Sequence, residues 1–162
     1  MPTAVPEHRH DHQHCIDEAV GHARQLCAER GVRLTAIREQ VLTLVWANHQ
    51  PVGAYRLLEA LAEQSERRST PPTIYRALDF LLEQGLIHRI ASLNAFVGCT
   101  DPGHHHSGHF LICKHCNTAI ELDAANIDHA ISQSAQQRGF AVDSQCVEVV
   151  GSCQHCRELG HD

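Results

Sequence analysis

A chain of 162 residues is long enough for one domain or two small ones, but not for three. Its formal net charge of -6 at pH 7, with histidine neutral, excludes a protein that coats nucleic acid or membranes through bulk positive charge. Any nucleic-acid binding must therefore come from a local patch. No apolar run approaches the roughly 20 residues of a membrane span, and no secretory signal opens the chain, so we expect a cytoplasmic protein.

The chain is rich in two metal-ligating residue types, with 8 cysteines and 15 histidines. Disulfide frameworks are rare in a reducing cytosol, so the cysteine spacing is interpreted first as metal ligation. Residues 1–15 carry His8, His10, His12 and His14 without apolar periodicity. We expect a disordered tail there, either a loose metal-binding arm or a solvated leader.

Residues 16–99 predict a winged-helix DNA-binding domain. Apolar periodicity and helix-ending signals predict four helices ahead of the first strand, at 16–27, 36–45, 54–63 and 73–84. A β-hairpin follows, with strands at 86–91 and 95–99 and a turn at Leu93 and Asn94. Helices followed directly by a hairpin are typical of a winged helix, in which the hairpin is the wing.

A His-rich hinge at 100–109 separates this domain from a small second lobe at 110–162. The pattern there predicts strands at 110–113, 119–122 and 142–150 and a helix at 124–138. The chain as a whole is thus expected to be α+β, with a small C-terminal α/β dimerisation domain. A lobe of this size needs a staple or a partner to be stable.

Two CxxC units, one near each end of the second lobe, have the spacing of a tetrahedral zinc site. They are Cys113, Cys116, Cys153 and Cys156. Four sulfurs leave no open position, so this zinc is expected to be structural and to contribute folding energy. The alternative is a redox pair, but neither CxxC is expected to open a helix behind a buried strand in a βαβ unit.

A second set of candidate ligands mixes nitrogen, sulfur and oxygen and comes from both lobes and the hinge. The set comprises His88, Cys99, His104, His105, His106, His109 and Glu121. A metal held by such residues would fix the orientation of the two lobes when it binds, which is a switch. The order of the residues leaves open which hinge histidine ligates.

The fourth predicted helix has the features of a recognition helix. Thr73, Tyr75 and Arg76 lie at its N-terminal end, where such a helix meets bases and phosphates. Arg33, Arg38 and Tyr55 are expected to approach the DNA backbone. The opposite face of the same helix is apolar and is expected to pack in the core.

The helix motif resembles the ferric uptake regulator (Fur) superfamily, and most closely its zinc uptake regulator (Zur) branch. The matching run is Pro71-Pro72-Thr73-Ile74-Tyr75-Arg76-Ala77-Leu78-Asp79-Phe80-Leu81-Leu82-Glu83-Gln84-Gly85. Support comes from Arg33-Leu34-Thr35 and from both CxxC pairs. The resemblance implies a homodimer that binds a palindromic operator when it is loaded with zinc and silences zinc-uptake genes.

Carried over by position, the resemblance implies two zinc ions per chain. Cys113, Cys116, Cys153 and Cys156 would hold the structural ion, and His88, Cys99, His106 and Glu121 the regulatory ion. Tyr55 and Arg76 match positions that contact bases. Gln145 stands where a third metal site of some members would need a ligand, so that site is expected to be absent.

Two other functions compete with the zinc-dependent repressor. A sibling sensor of iron, manganese or peroxide would share the fold and the mode of DNA binding. Cys99 favours zinc, because sulfur is a softer ligand than the carboxylate usual in iron sensors. A metalloenzyme would need a general base near the ligands, for which Asp101 and Asp123 are the obvious carboxylates; we predict that the chain is not an enzyme.

Overall fold

The structure is a computed structural model that describes residues 12–47, 50–64, 70–103, 108–123 and 125–160. Two three-stranded sheets organise it, one in each predicted lobe. The helices are α1 (His12–Glu29), α2 (Ala36–Trp46), α3 (Ala54–Gln64), α4 (Pro71–Glu83), α5 (Ala125–Gln136) and α6 (Gln154–Glu158). The strands are β1 (Val52–Gly53), β2 (Ile87–Ile90), β3 (Ala95–Gly98), β4 (Phe110–Cys113), β5 (Ala119–Glu121) and β6 (Glu148–Gly151).

The first lobe has the winged-helix architecture that the sequence predicts. Helices α1 to α4 enclose an apolar core in which Val41, Leu57, Ile74 and Leu81 are buried. The wing is the antiparallel hairpin of β2 and β3, closed by a short 3₁₀ helix (Ala91–Leu93). Asn94 ends that turn in the left-handed region, at φ 46°, which asparagine tolerates better than most residues.

The predicted start of the first helix is wrong. Helix α1 begins at His12, inside the segment 1–15 that the sequence predicts to be disordered; His8 and His10 lie outside the described residues. Side-chain pairs four residues apart, Gln13 with Asp17 and His14 with Glu18, stabilise the extra turn.

The expectation that four helices precede the first strand is also wrong. The two-residue strand β1 lies ahead of α3 and pairs with β3, Val52 standing opposite Phe96. A strand of this length has no periodicity that the sequence could reveal.

The second lobe is built on a sheet with the order β5-β4-β6. Strand β4 runs antiparallel to β5 and parallel to β6, and its residues Phe110 and Ile112 form a small buried cluster with Ile90 of the wing. This cluster is much smaller than the core of the first lobe. The lobe therefore depends on contacts other than its own apolar core.

The last strand is shorter than the 142–150 that the alternation predicts. Strand β6 begins at Glu148, which pairs with Phe110, the first residue of β4. Residues before Glu148 thus have no strand alongside, and the N–H of Val147 is bonded instead to the ring of His109. No helix among the described residues is long and apolar enough to cross a membrane.

The wing packs so closely on α2 that one glycine position has no room for a side chain. A Cβ at Gly98 would overlap the indole of Trp46. We expect Gly98→Ala to lower the free energy of unfolding by about 1–3 kcal/mol, because the wing must shift away from the helix. Urea denaturation followed by fluorescence of Trp46, the single tryptophan of the chain, measures the change.

Gly21→Ala is the matched control, since nothing lies within 4 Å of a Cβ at this position of α1. It should raise stability by roughly 0.5–1 kcal/mol, as alanine is the better helix former. A Gly98→Ala protein as stable as wild type would contradict the close packing of wing and α2.

Candidate metal centres and nucleic-acid interface

The two CxxC units meet at one end of the second sheet. Because β4 and β6 are parallel, with Cys113 opposite Gly151, the turns that follow the two strands lie side by side. The sulfurs of Cys113, Cys116, Cys153 and Cys156 all lie within 4.8 Å of one another. Two sulfurs bound tetrahedrally to one zinc ion at about 2.3 Å would be roughly 3.8 Å apart. The Sγ atoms of Cys116 and Cys153 are 3.7 Å apart, so the cluster fits such an ion.

Backbone N–H groups are aimed at these sulfurs. Cys113 Sγ accepts from the N–H of Cys153, and Cys153 Sγ, at the N-cap of α6, accepts from that of Cys156. Backbone hydrogen bonds, first from Cys116 and then from Cys153, lower the pKa of Cys113 to about 5. Burial, followed by the neighbouring thiols, raises the pKa of Cys156 to about 12. Cys113 therefore loses its proton readily, and a dication bound among the sulfurs would let the other thiols ionise as well.

The sequence-based argument against a redox pair holds, although a helix does follow the second CxxC. The second CxxC does open a helix, α6, directly after β6. However, Val149 and Val150 of β6 are exposed and α6 spans just 154–158, so this is not the buried strand and crossover helix of a βαβ redox unit.

A second ligand cluster joins the lobes. His88 projects from β2, Cys99 follows β3 and Glu121 ends β5; one ligand atom from each lies within 4.8 Å of the other two. His88 Nε2 is 3.1 Å from Glu121 Oε1, and the hydroxyl of Thr100 donates to Glu121 Oε2 at 3.2 Å. Nitrogen, sulfur and oxygen donors at this spacing fit a zinc ion with a place left for another ligand.

Burial sets the chemistry of this cluster. Cys99 is 3% exposed, and desolvation raises the pKa of its thiol to about 12. The thiol therefore keeps its proton at neutral pH, and a metal that binds the sulfur must displace that proton. The two side chains beside it, His88 and Glu121, are each about one-seventh exposed, at 15% and 14%. Such a site excludes most water and strengthens the attraction between a cation and its ligands.

The hinge passes directly over His88. A Cβ at Gly108 would lie 2.9 Å from His88 Nδ1 and 3.0 Å from Cε2 of Phe110, so glycine is required for this approach. The predicted ligand His106 lies outside the described residues, with His104 and His105.

His109, the fourth hinge candidate, is occupied elsewhere. Its ring is fully buried; Nδ1 accepts from the N–H of Val147 at 2.9 Å, and Nε2 lies 2.9 Å from Asp128 Oδ1. Since a backbone N–H can only donate, Nδ1 is the unprotonated nitrogen and Nε2 donates to the carboxylate. Gln145 also donates to Asp128 Oδ1. His109 thus ties the hinge to α5 and to the residue just before β6.

The predicted DNA-contacting residues lie on the exposed side of the first lobe. Tyr55, near the start of α3, is 72% exposed, and Tyr75, in α4, is 49% exposed. Arg76 and Arg33 are exposed as well, whereas Thr73 is half-buried and its hydroxyl lies 2.9 Å from that of Thr70. The opposite side of α4 is buried, as the apolar pattern predicts.

Arg38 has two partners within the first lobe. Its guanidinium lies 3.6 Å from the ring centroid of Phe80 and donates to the carbonyl of Arg33. The cation–π contact and the hydrogen bond hold this side chain against the protein. Arg38 therefore positions the segment that carries Arg33, and its approach to the DNA backbone stays a prediction.

The sequence matches the Ferric uptake regulator family over residues 29–150. The chain belongs to this family. It is 40% identical over 144 residues to the Zinc uptake regulation protein of Escherichia coli (strain K12), an alignment that covers 88% of this chain and 83% of the relative. A solved structure of a zinc uptake regulator complexed with zinc and DNA matches with a TM-score of 0.86 and 36% identity, covering 91% of this chain and 98% of that one.

A further relative, XcZur, has been solved in two forms. Its holo form matches this chain with a TM-score of 0.81, covering 88% of this chain and 99% of that one. Its apo form matches with a TM-score of 0.52, covering 88% and 97%. Both comparisons have 40% identity, so the difference is one of conformation. The described chain is therefore closer to the holo form.

The sequence indicated the four cysteines and three candidate inter-lobe ligands that the structure brings together, but it did not indicate the residues that position them. Gly108 and Thr100 belong to no sequence motif. They matter because Gly108 lies against the ring of His88 and the hydroxyl of Thr100 donates to Glu121. A glycine next to the His-rich run was the one available signal.

We predict that Cys153→Ser removes one zinc ion per chain and unfolds the second lobe, because the other three sulfurs then lack the fourth corner of the tetrahedron. Native mass spectrometry counts the ions, and circular dichroism follows the fold. Cys146→Ser is the control, since Cys146 is exposed and outside the cluster. Retention of the full zinc content and the fold by Cys153→Ser would contradict the assignment.

Proposed function

We propose that the chain is a zinc-responsive transcriptional repressor that binds a palindromic operator as a zinc-loaded homodimer and silences zinc-uptake genes. It acts in the cytoplasm, and its family is one of transcription regulators and not of enzymes. The observation that carries the proposal is the cluster of His88, Cys99 and Glu121, which takes ligands from both lobes. The similarity to zinc uptake regulators supports the choice of metal and of DNA as the partner.

We assign two zinc ions to each chain. The ion held by the four cysteines is structural, as four sulfurs complete its coordination and leave no site for exchange with solvent ligands. The ion held by His88, Cys99 and Glu121 is regulatory, with His106 as the fourth ligand. The bonding of His109 to Val147 and Asp128 supports a ligand from 104–106 instead.

The mechanism is a linkage between zinc and DNA binding. Zinc binds the arrangement in which His88 and Cys99 of the first lobe reach Glu121 of the second. If that arrangement also sets the spacing of the two recognition helices in the dimer, each ligand raises the affinity for the other by the same factor. The closeness of the chain to the holo form of XcZur supports this arrangement as the metal-loaded one.

DNA contacts are assigned to the exposed face of the first lobe. Tyr55 and Arg76 contact bases, and Thr73, Tyr75 and Arg33 support them at the N-terminal end of α4 and in the loop before α2. Arginine is the side chain best suited to a bidentate contact with guanine in the major groove.

The homodimer is assigned to the outer face of the second sheet. Leu111 stands opposite Ile120 on β5 and Val149 on β6, so the three side chains lie on one face, and all are exposed. An apolar row across a small sheet is the kind of surface that a second copy of the chain covers.

A sensor of iron, manganese or peroxide remains the second candidate. It shares the fold, but the buried sulfur of Cys99 favours zinc over the harder ions. Metal content after aerobic purification, and activation by each divalent ion in turn, would identify such a sensor.

The test is operator binding in gel-shift titrations at buffered zinc concentrations. We expect wild-type affinity to rise with free zinc and Cys99→Ser to need at least about tenfold more zinc, because a buried hydroxyl replaces the thiolate ligand. Cys146→Ser, an exposed cysteine outside both clusters, should behave as wild type. Equal operator binding by wild type with and without the labile zinc would refute the function.

Gly108→Ala should weaken zinc binding at the regulatory cluster by about tenfold, since the added methyl displaces the His88 ring from its ligating position. A competition titration against a chromophoric chelator measures this affinity. Gly103→Ala, in the same hinge and with nothing within 4 Å of its Cβ, is the matched control and should leave the affinity unchanged. Equal affinities for the two variants would show that the hinge does not constrain His88.

A further inference from the structure

Three residues form a row across the face of the second sheet that meets the wing. Phe110 on β4 stands opposite Glu121 on β5 and opposite Glu148 on β6. Residues in register on neighbouring strands project to the same face of a sheet. The row thus has a carboxylate at each end and an aromatic ring in the middle.

The wing lies along this row. At one end His88 meets Glu121 and packs edge-on against Phe110, with ring centroids 5.5 Å apart. In the middle, Ile90 is fully buried in a cluster with Phe110. At the other end, the chain turns into the 3₁₀ helix over Glu148.

Glu148 bonds the backbone of that helix with both carboxylate oxygens. Oε1 accepts from the N–H of Ala91 at 2.6 Å, and Oε2 accepts from that of Ser92 at 3.0 Å. The first N–H groups of a helix have no partner within it, so the carboxylate supplies the two acceptors that Ala91 and Ser92 lack. Partial burial would raise the pKa of Glu148, but the bonds from Ser92 and Ala91 outweigh it and lower the pKa.

We propose that Glu148 is a positioning residue that docks the wing on the second lobe. Neither Glu148 nor its partners Ala91 and Ser92 is a metal ligand in this contact. The contact holds one end of the row, and zinc bound by His88, Cys99 and Glu121 closes the other. Zinc therefore completes a docking that Glu148 has already made favourable. This inference rests on the proposed zinc-dependent repressor.

The role predicts a specific change in zinc response. Loss of the Glu148 contact makes the docked arrangement rarer, so more zinc is needed to populate it, but saturating zinc still restores it. The zinc concentration at half-maximal operator binding should rise, whereas the maximal affinity should not change. A variant that simply damaged the fold or the DNA-binding surface would lower the maximum.

The experiment compares Glu148→Ala and Glu148→Gln with wild type in operator titrations at buffered zinc. Removal of two bonds to a charged acceptor should raise the midpoint by about tenfold in Glu148→Ala. Glu148→Gln keeps one acceptor oxygen and should fall between the two. Asp143→Ala, an exposed carboxylate of the same lobe, removes the same charge and should leave the midpoint at its wild-type value.

The wing side of the contact provides an independent variant. Ala91→Pro deletes the N–H that donates to Glu148. Proline fits at this position because it is the first of the 3₁₀ helix, and because the preceding Ile90 is extended, as a residue before proline prefers. It should shift the midpoint in the same direction. Combined with Glu148→Ala, it should add less than the sum of the two shifts, since both remove one interaction.

Hydrogen exchange of 87–98 in protein that retains the four-cysteine zinc shows the contact directly. The amides of Ala91 and Ser92 should exchange faster in Glu148→Ala than in wild type. Two results would overturn the positioning role and leave the zinc-dependent repressor intact. One is a wild-type zinc midpoint of operator binding in every Glu148 variant, and the other is a lowered maximal operator affinity with a wild-type zinc midpoint. Wild-type protein with no zinc response at all would instead overturn the proposed function.

Discussion

The docking of β2 against the second sheet is the contact on which the rest of the structure depends. It brings an imidazole and a carboxylate, His88 and Glu121, to 3.1 Å in a site that is largely closed to water. Polar and charged side chains that are largely closed to water are costly unless they have suitable partners, and the sulfur of Cys99 beside them is buried. A cation that coordinates all three groups meets that need, and it can do so only while the two lobes are held together.

The two lobes differ in how they are stabilised, and the difference explains where metal is used. The first lobe has an apolar core formed by four helices and the wing. The second has little apolar core apart from Phe110 and Ile112, which pack on Ile90 of the wing. In the proposed account, a structural ion bound by the four cysteines and a second copy of the chain on the exposed face of Leu111, Ile120 and Val149 supply what is missing.

The sequence predicted the features that depend on local spacing and missed those that depend on register. The CxxC pairs, the apolar stripe of α4 and the wing hairpin are each signalled by residue spacing within a short stretch of sequence. The structure contains all three features. The short β1, the late start of β6 and the pairing of Glu148 with the 3₁₀ helix are set by strands that meet across long stretches of chain. His109 illustrates the same limit: its sequence neighbours suggest a ligand, but its partners are Asp128 of α5 and the N–H of Val147, just before β6.

An anomalous difference map at the zinc edge, from crystals of the zinc-loaded protein, tests the central claim most directly. The account predicts a peak among the four cysteine sulfurs and a second peak bounded by His88 Nε2, Cys99 Sγ and Glu121, so that one ion joins β2, the end of β3 and β5. A second ion whose ligands all come from a single lobe, or a zinc-loaded crystal with no peak at the lobe junction, would contradict it.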